Sequence, residues 1–491
     1  MKPVDVPKGR DVAVSSVQAG YPARPPYDPS EAYPEYAFGT AVGDEPNGAY
    51  GGVRQALRLL GLDTSRYGTP QWNPLGELVS PGQTVVLKPN FVRDFRETRA
   101  GDDDCLITHG AVVRAVADYA LLALEGRGRL VVADAPQNDA DFDRLVSMAG
   151  LRDLQAFYER HAGFALEVVD LRPEQARKID GVIVGHEPLA GDPAGYVKVD
   201  LGDASRFAEI GELCSRLYGA EYDKRELRRH HHDAVHEYLV SRTVMDADCV
   251  INLPKLKTHK KTGLTACLKN LVGINGNKNW LPHHREGAPA EGGDEFPDLT
   301  PRRRLERRAV ACFKRLFPML GPARSLLAGP LKSAGKRVFG DTNTDTIRSG
   351  NWRGNDTTWR MVHDLNRILL YADADGRLDR PPGRRVLHLV DAIVAGEGNG
   401  PLDATPKACG MILGGRNPAA VDLVCAAMIG FRPPYPPVVG RAFEPGPAPL
   451  TDFAPDAVNL VSHEDNFNGP IARCQFADPF RLHFGWEDHA R

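Results

Sequence analysis

The run QTVVLKPNFV (residues 83–92), followed by THGAVVRAVADYALLALEG (108–126) and GRLVVADAP (128–136), decides the fold. The first segment is a β-rich apolar stretch that ends in polar residues. The second repeats apolar residues at helical spacing behind a threonine cap, and the third is another apolar strand. Strand, helix and strand in that order predict a right-handed parallel crossover, with polar groups gathered at the C-terminal ends of the strands, where α/β sheets hold ligands. Lys88, Asn90 and Asp134 are expected at that edge.

Working outward, MDADCVINLPKLKTH (245–259) reads as another buried strand with polar residues past its end, and GLTACLKNLVG (263–273) as a helix. RRVLHLVDAIVAGEGNGPLDATP (384–406) and CGMILGGRNPAAVDLVCAAMIGF (409–431) form a second strand-rich unit with a glycine turn and an apolar helix. The expected class is α/β: two lobes with mainly parallel sheets, helical insertions and a cleft between the lobes. The expected divisions are an irregular N-terminal arm over 1–81, a first lobe over 82–290 with an insertion at 151–240, a basic amphipathic insertion over 291–345, and a second unit with its tail over 346–491. The insertion closes on a charged helix, YDKRELRRHHHDAVHEYLV (222–240), whose His232 and His236 share a helical face without a third ligand.

Composition narrows the functional classes. A chain of 491 residues with 42% hydrophobic and 25% charged residues buries a substantial core, and a net charge of -3 gives no global attraction to nucleic acid. No apolar leader or run of membrane-spanning length is evident, so a cytoplasmic location is expected. Eight cysteines lie scattered without a C-x-x-C pair, which argues against a disulfide framework, a local zinc site or an iron–sulfur cassette. P-loop, serine-hydrolase and zincin motifs are also missing. Residues 301–340 carry eleven Lys/Arg and one Glu, a local charge of +10 against -13 elsewhere. Their apolar residues leave a helical face opposite the basic one, so this segment reads either as a peripheral surface for membrane or an acidic partner, or as a helix docked on its own protein.

The chemistry concentrates in LPKLKTHKKTGLTACLKNLVGINGNKNWLPHH (253–284), which holds three histidines, six lysines and no acidic residue. With His259 just past a strand end and Lys269 on the following helix, both side chains can face one cationic pocket suited to a carboxylate or phosphate. Such a pocket depresses the pKa of Lys269, so that a neutral amine serves as base or nucleophile. Lys255, Lys257 and Asn270 are expected substrate contacts, together with Lys88 and Asn90; a solvated basic loop is the alternative for the outer lysines. His109, at a helix N-terminus, is expected to stay neutral and exchange a proton. Glu397, in VDAIVAGEGNGP (390–401), is the candidate carboxylate facing the cleft, with Asn399 beside it.

In order, VVLKPNFV, THGAVVRAV, VVADAP, VINLPKLKTHKKTGLTACLKNLVG, DLN (364–366), VDAIVAGEGNGP and GGRNPAAVDLVCAAMIG resemble domain-of-unknown-function family 362 over roughly residues 82–430. Some members of that family carry a ferredoxin-type module, which has no counterpart here. The spacing of Thr-His, His, Lys and His is also similar to the active-site layout of the lactate racemase family. That resemblance implies a nickel pincer cofactor on Lys269, His109 and His259 as the acid/base pair, and His284 or His283 as metal ligand. The glycine-rich run around the lysine in that family is here TGLTACLKN. The reading that follows is an enzyme, racemase-like or an oxidoreductase, acting on a small anion by proton or hydride transfer with or without a metal. The alternative is a non-catalytic anion-binding or assembly protein at a membrane-bound complex.

Overall fold

A computed structural model of the protein describes residues 9–96, 104–179, 182–219, 224–301, 303–305, 346–378 and 384–489. The basic segment 301–340 lies almost wholly outside these residues, and with it the expected membrane or acidic-partner surface.

Among the described residues eleven strands build the central sheet. In chain order they are β1 (Asp11–Ser16), β2 (Thr84–Pro89), β3 (Arg129–Asp134), β4 (Leu166–Asp170), β5 (Cys249–Leu253), β6 (Lys255–His259), β7 (Gly263–Thr265), β8 (Arg385–Asn399), β9 (Asp403–Gly415), β10 (Asn459–Val461) and β11 (Gly469–Pro470). Across the sheet the order is β11-β10-β1-β9-β8-β5-β2-β3-β4, with β6 and β7 attached beside the far end of β8. Strands β8, β5, β2, β3 and β4 are mutually parallel. The β8–β9 and β9–β1 pairs are antiparallel.

Alternation along each strand produces three layers, because successive side chains leave a strand on opposite faces. Val85 and Leu87 pack with the helices Gly48–Leu59 and Gly110–Leu124, while Val86 packs with Thr358–Tyr371 and Pro418–Ile429 on the other face. Local chemistry sets the helix starts. Asn417 accepts hydrogen bonds from the amides of Ala419 and Ala420 at 2.9 and 3.2 Å, ahead of Pro418 in the first turn.

The α/β class, with a large, mainly parallel sheet and flanking helices, is the one expected. Strands from the two expected lobes lie side by side, Val250 facing both Val86 and Val386, so one sheet runs through both and the ligand space lies over its edge. The N-terminal arm is not irregular throughout. Its strand β1 sits between β9 and β10, and its Gly48–Leu59 helix covers the sheet. The charged helix of 222–240 is limited to Lys224–His230, after which His231–His232 and Val235–Ser241 pair as antiparallel strands. His232 and His236 therefore share no helix. Burial recurs at every second position, His236, Tyr238 and Val240, which is a strand period. The expected helix at 263–273 is divided into β7, a single turn Cys267–Asn270 and the tight turn Leu271–Ile274. Among the described residues no helix is long and apolar enough to cross a membrane.

Candidate functional site

At the C-terminal edge of β2, β3 and β6 the chain encloses a cavity of about 280 Å³. Its floor begins with Lys88, one residue before the proline that ends β2. The Lys88 ammonium pairs with Asp134 at 2.7 Å and donates to the carbonyl of Pro89 at 2.8 Å. Burial lowers the Lys88 pKa, and Asp134 opposes that fall. Gly273 makes the pair possible: a β-carbon there would stand 2.0 Å from Asp134 Oδ1 and 2.6 Å from Lys88 Nζ. Only glycine lets this turn close over the ion pair.

A chain of amides fixes the wall. Asn252 donates to His388 Nδ1 at 3.0 Å, Asn270 donates to Asn252 Oδ1 at 2.8 Å, and Asn90 donates to Asn270 Oδ1 at 2.9 Å. Lys257 then donates to Asn90 Oδ1 at 2.6 Å and to the carbonyl of Leu106 at 2.6 Å. Each amide in the series is both donor and acceptor, so none can turn over without losing a bond in a buried place.

Lys257, Lys261, Lys269 and Lys278 line this cavity and none forms an ion pair with a carboxylate among the described residues. Burial, reinforced by neighbouring lysines, pulls Lys257 and Lys261 down to about 7. Burial likewise pulls Lys278 to about 7, against the attraction of Asp134. Lys269 falls to about 8, through burial first and then the Lys88 ammonium. Three of the four amines are hydrogen-bonded to oxygen. Lys257 is held as described, Lys261 donates to the carbonyl of Ser349, and Lys278 donates to the carbonyl of Asn275 at 3.1 Å. The amine of Lys269 has no hydrogen-bond or ion-pair partner among the described residues.

Two imidazoles complete the wall in complementary forms. His259 Nδ1 accepts from the backbone amides of Lys261 and Thr262 at 3.0 and 3.2 Å, which leaves the proton of the neutral ring on Nε2. His283 Nδ1 lies 2.9 Å from the carbonyl of Leu281, so it carries the proton and Nε2 keeps a lone pair. Burial and then the nearby lysines hold both rings neutral, His259 well below its ordinary value and His283 at about 3.

Of the residues singled out from the sequence, Lys88, Asn90, Lys257, His259, Lys269, Asn270 and His283 line the cavity. Five others are placed elsewhere. His109 caps the helix Gly110–Leu124, accepting from the Ala111 amide at 3.1 Å, and its ring stacks on Tyr21 at 4.0 Å. Burial, and then the Lys255 ammonium, take His109 to about 3. Lys255 is sealed against Asp391 at 2.7 Å and the Tyr21 hydroxyl at 2.7 Å. Glu397 is taken by Arg481, whose Nε lies at 2.7 Å and whose backbone amide donates at 3.0 Å. Asn399 closes β8 opposite Asp403. His284 pairs along the backbone with Tyr218, its ring 5.1 Å from the tyrosine ring. Sequence reasoning gave no role to Asn252, Gly273 or Lys278; the asparagines of NGNKNW were the only signal near the last.

A metal ion suits this donor set poorly. Two imidazoles and one ion-paired carboxylate face the cavity, the amines would repel a cation, and no group of three His, Cys, Asp or Glu side chains able to hold an ion occurs among the described residues.

Residues 168–427 match the family described as Domain of unknown function (DUF362). The chain belongs to that family. The DUF362 match contains the lysine and histidine wall from Lys255 to His283, and it begins well after residue 82, so Lys88, Asn90 and Asp134 lie ahead of it. No curated protein matches. A crystal structure of a Thermotoga maritima protein, a Northeast Structural Genomics Consortium target, is similar at 11% identity with a TM-score of 0.31, over 76% of this DUF362 chain and 58% of that one. The chain thus spans less than two thirds of that protein. Neither the family match nor the search of curated proteins shows the lactate racemase resemblance.

Proposed function

We propose that this protein is an enzyme that binds a small polyanion over the sheet edge and moves a proton on it. The observation that carries the reading is the set Lys257, Lys261, Lys269 and Lys278, gathered in one cavity without carboxylate partners. Burying uncompensated ammonium groups is costly, and an anionic ligand removes the cost by supplying the missing charge. Lys257, Lys261 and Lys278 hold the anion. Lys269, part-neutral near neutral pH, is the reactive amine, serving as base or nucleophile, and His259 Nε2–H donates toward an oxygen of the substrate.

The test has two readouts. Thermal stabilisation by phosphate, citrate and short-chain hydroxy and oxo acids reports binding, and exchange of substrate C–H protons in D₂O, followed by NMR, reports catalysis. Stabilisation with exchange that vanishes in Lys269→Met supports the enzyme. Stabilisation without exchange by any of these acids moves the reading to a non-catalytic anion-binding protein. The absence of stabilisation by every anion overturns both.

A further inference from the structure

Lys269 differs from the other cavity lysines in a way that anion binding alone leaves unexplained. Lys257, Lys261 and Lys278 each spend a proton on a protein oxygen, so their nitrogens are tethered and directed. Lys269 is tethered to nothing described, although its neighbours Cys267, Leu268 and Asn270 are hydrogen-bonded. The single helical turn Cys267–Asn270 that bears it is anchored at both ends. The Asp422 carboxylate accepts from the amides of Cys267 and Leu268 at 2.6 and 3.0 Å, and Asn270 is locked into the amide chain. The backbone is thus anchored by hydrogen bonds while the amine has no partner among the described residues.

We infer that Lys269 forms an imine with the carbonyl carbon of a small 2-oxo acid held in this cavity. The inference rests on the anion-site reading above and names the substrate class for it. In a 2-oxo acid the carboxylate adjoins the carbonyl, so charge taken by Lys257 and Lys278 places the electrophilic carbon within the same small volume as the Lys269 nitrogen. The Lys269 lone pair makes the C–N bond, and the two protons of its neutral amine leave with the carbonyl oxygen as water, so amine and carbonyl give imine and water with no change of oxidation state. The Nε2–H of His259 hydrogen-bonds the oxygen as it gains charge and departs. The Lys88 ammonium, kept in place by Asp134, favours the neutral amine of its neighbour, in the way a second cation activates a nucleophilic lysine.

The experiment treats the full chain with pyruvate or 2-oxoglutarate in the presence of cyanoborohydride, whose hydride reduces the C=N bond and makes the link permanent. Intact and peptide mass spectrometry are expected to show one reduced adduct, on Lys269, forming faster as pH rises through about 8. Lactate and malate, which lack the carbonyl, give none. Lys269→Arg keeps the charge and loses the adduct, and thermal stabilisation of that variant by malate shows that it folds and still binds anions. Adducts scattered over surface lysines, or stabilisation by 2-oxo acids without any adduct on Lys269, overturn the imine while leaving the anion site standing. If no acid stabilises the protein and no adduct forms, both readings fall together.

Discussion

Lys255 and Lys257 stand two residues apart on one strand, both 0% exposed, and meet opposite fates. Lys255 has a carboxylate, Asp391, at 2.7 Å and the aromatic face of Tyr21 at 4.8 Å from its nitrogen. Among the described residues Lys257 has an amide and a carbonyl, both neutral, and its pKa drops to about 7. Equal burial of the same residue type thus yields a closed structural pair in one case and an open demand for negative charge in the other. Counter-charge, not depth, separates scaffold from site.

The contrast is open to attack, beginning where the effect is greatest. Asp391→Ala strips Lys255 of its partner and is expected to cost ~3–5 kcal/mol in denaturant unfolding, the range for breaking a buried pair; a loss under ~1 kcal/mol would erase the distinction. Gly273→Ala tests the mixed case, the Lys88–Asp134 pair that is both compensated and in the cavity. Forcing a methyl into that contact is expected to cost ~1–3 kcal/mol and to weaken anion binding, as read by unfolding and titration of the same variant.

A third attack uses pH. Lys257, Lys261 and Lys278 have folded values of about 7 against 10.5 unfolded, so between those limits the unfolded chain binds more protons. Stability of the ligand-free protein therefore rises with pH above about 7 and levels off toward 10.5, by up to ~1.4 kcal/mol per pH unit for each proton involved. Saturation with a tight anion should flatten that slope, and a ligand-free protein whose stability falls over the same interval would contradict the assignment. The smallest change is Lys257→Met, expected to leave ligand-free stability within ~1 kcal/mol of the parent, or raise it, while anion affinity drops ~10-fold, equivalent to ~1.4 kcal/mol. Asp391→Ala and Lys257→Met should differ in sign or nearly so if the comparison holds.

Much of this was legible from residue order. The crossover from 84 to 134 was readable because strand and helix periods follow one another there without interruption, and Lys88, Asn90 and Asp134 fall at the strand ends as expected. Lys257, His259 and Lys269 were readable from their density in a segment without acids. Glu397 was misplaced for a reason no local pattern exposes: β8 runs for 15 residues, beyond the cavity, to where Arg481 reaches it from 84 positions away. Lys255 was misjudged in the same way, since its seal comes from Tyr21 in the arm and Asp391 across the sheet. Long-range capture of a charge by an opposite charge depends on register, and register is not written in either segment alone. The hairpin at 231–241 was missed because its charged flank resembles a helix surface and conceals the period of two.

The position of β1 has a consequence for how the chain is made. Residues 13–16 pair with 411–414 and residues 11–13 with 459–461, so β1 is synthesised long before the strands that flank it. At ~5–20 residues per second the interval is about 20–80 s, during which β1 waits for the strands on both its edges. Completion of this side of the sheet therefore waits for late-made strands to close on an early-made one.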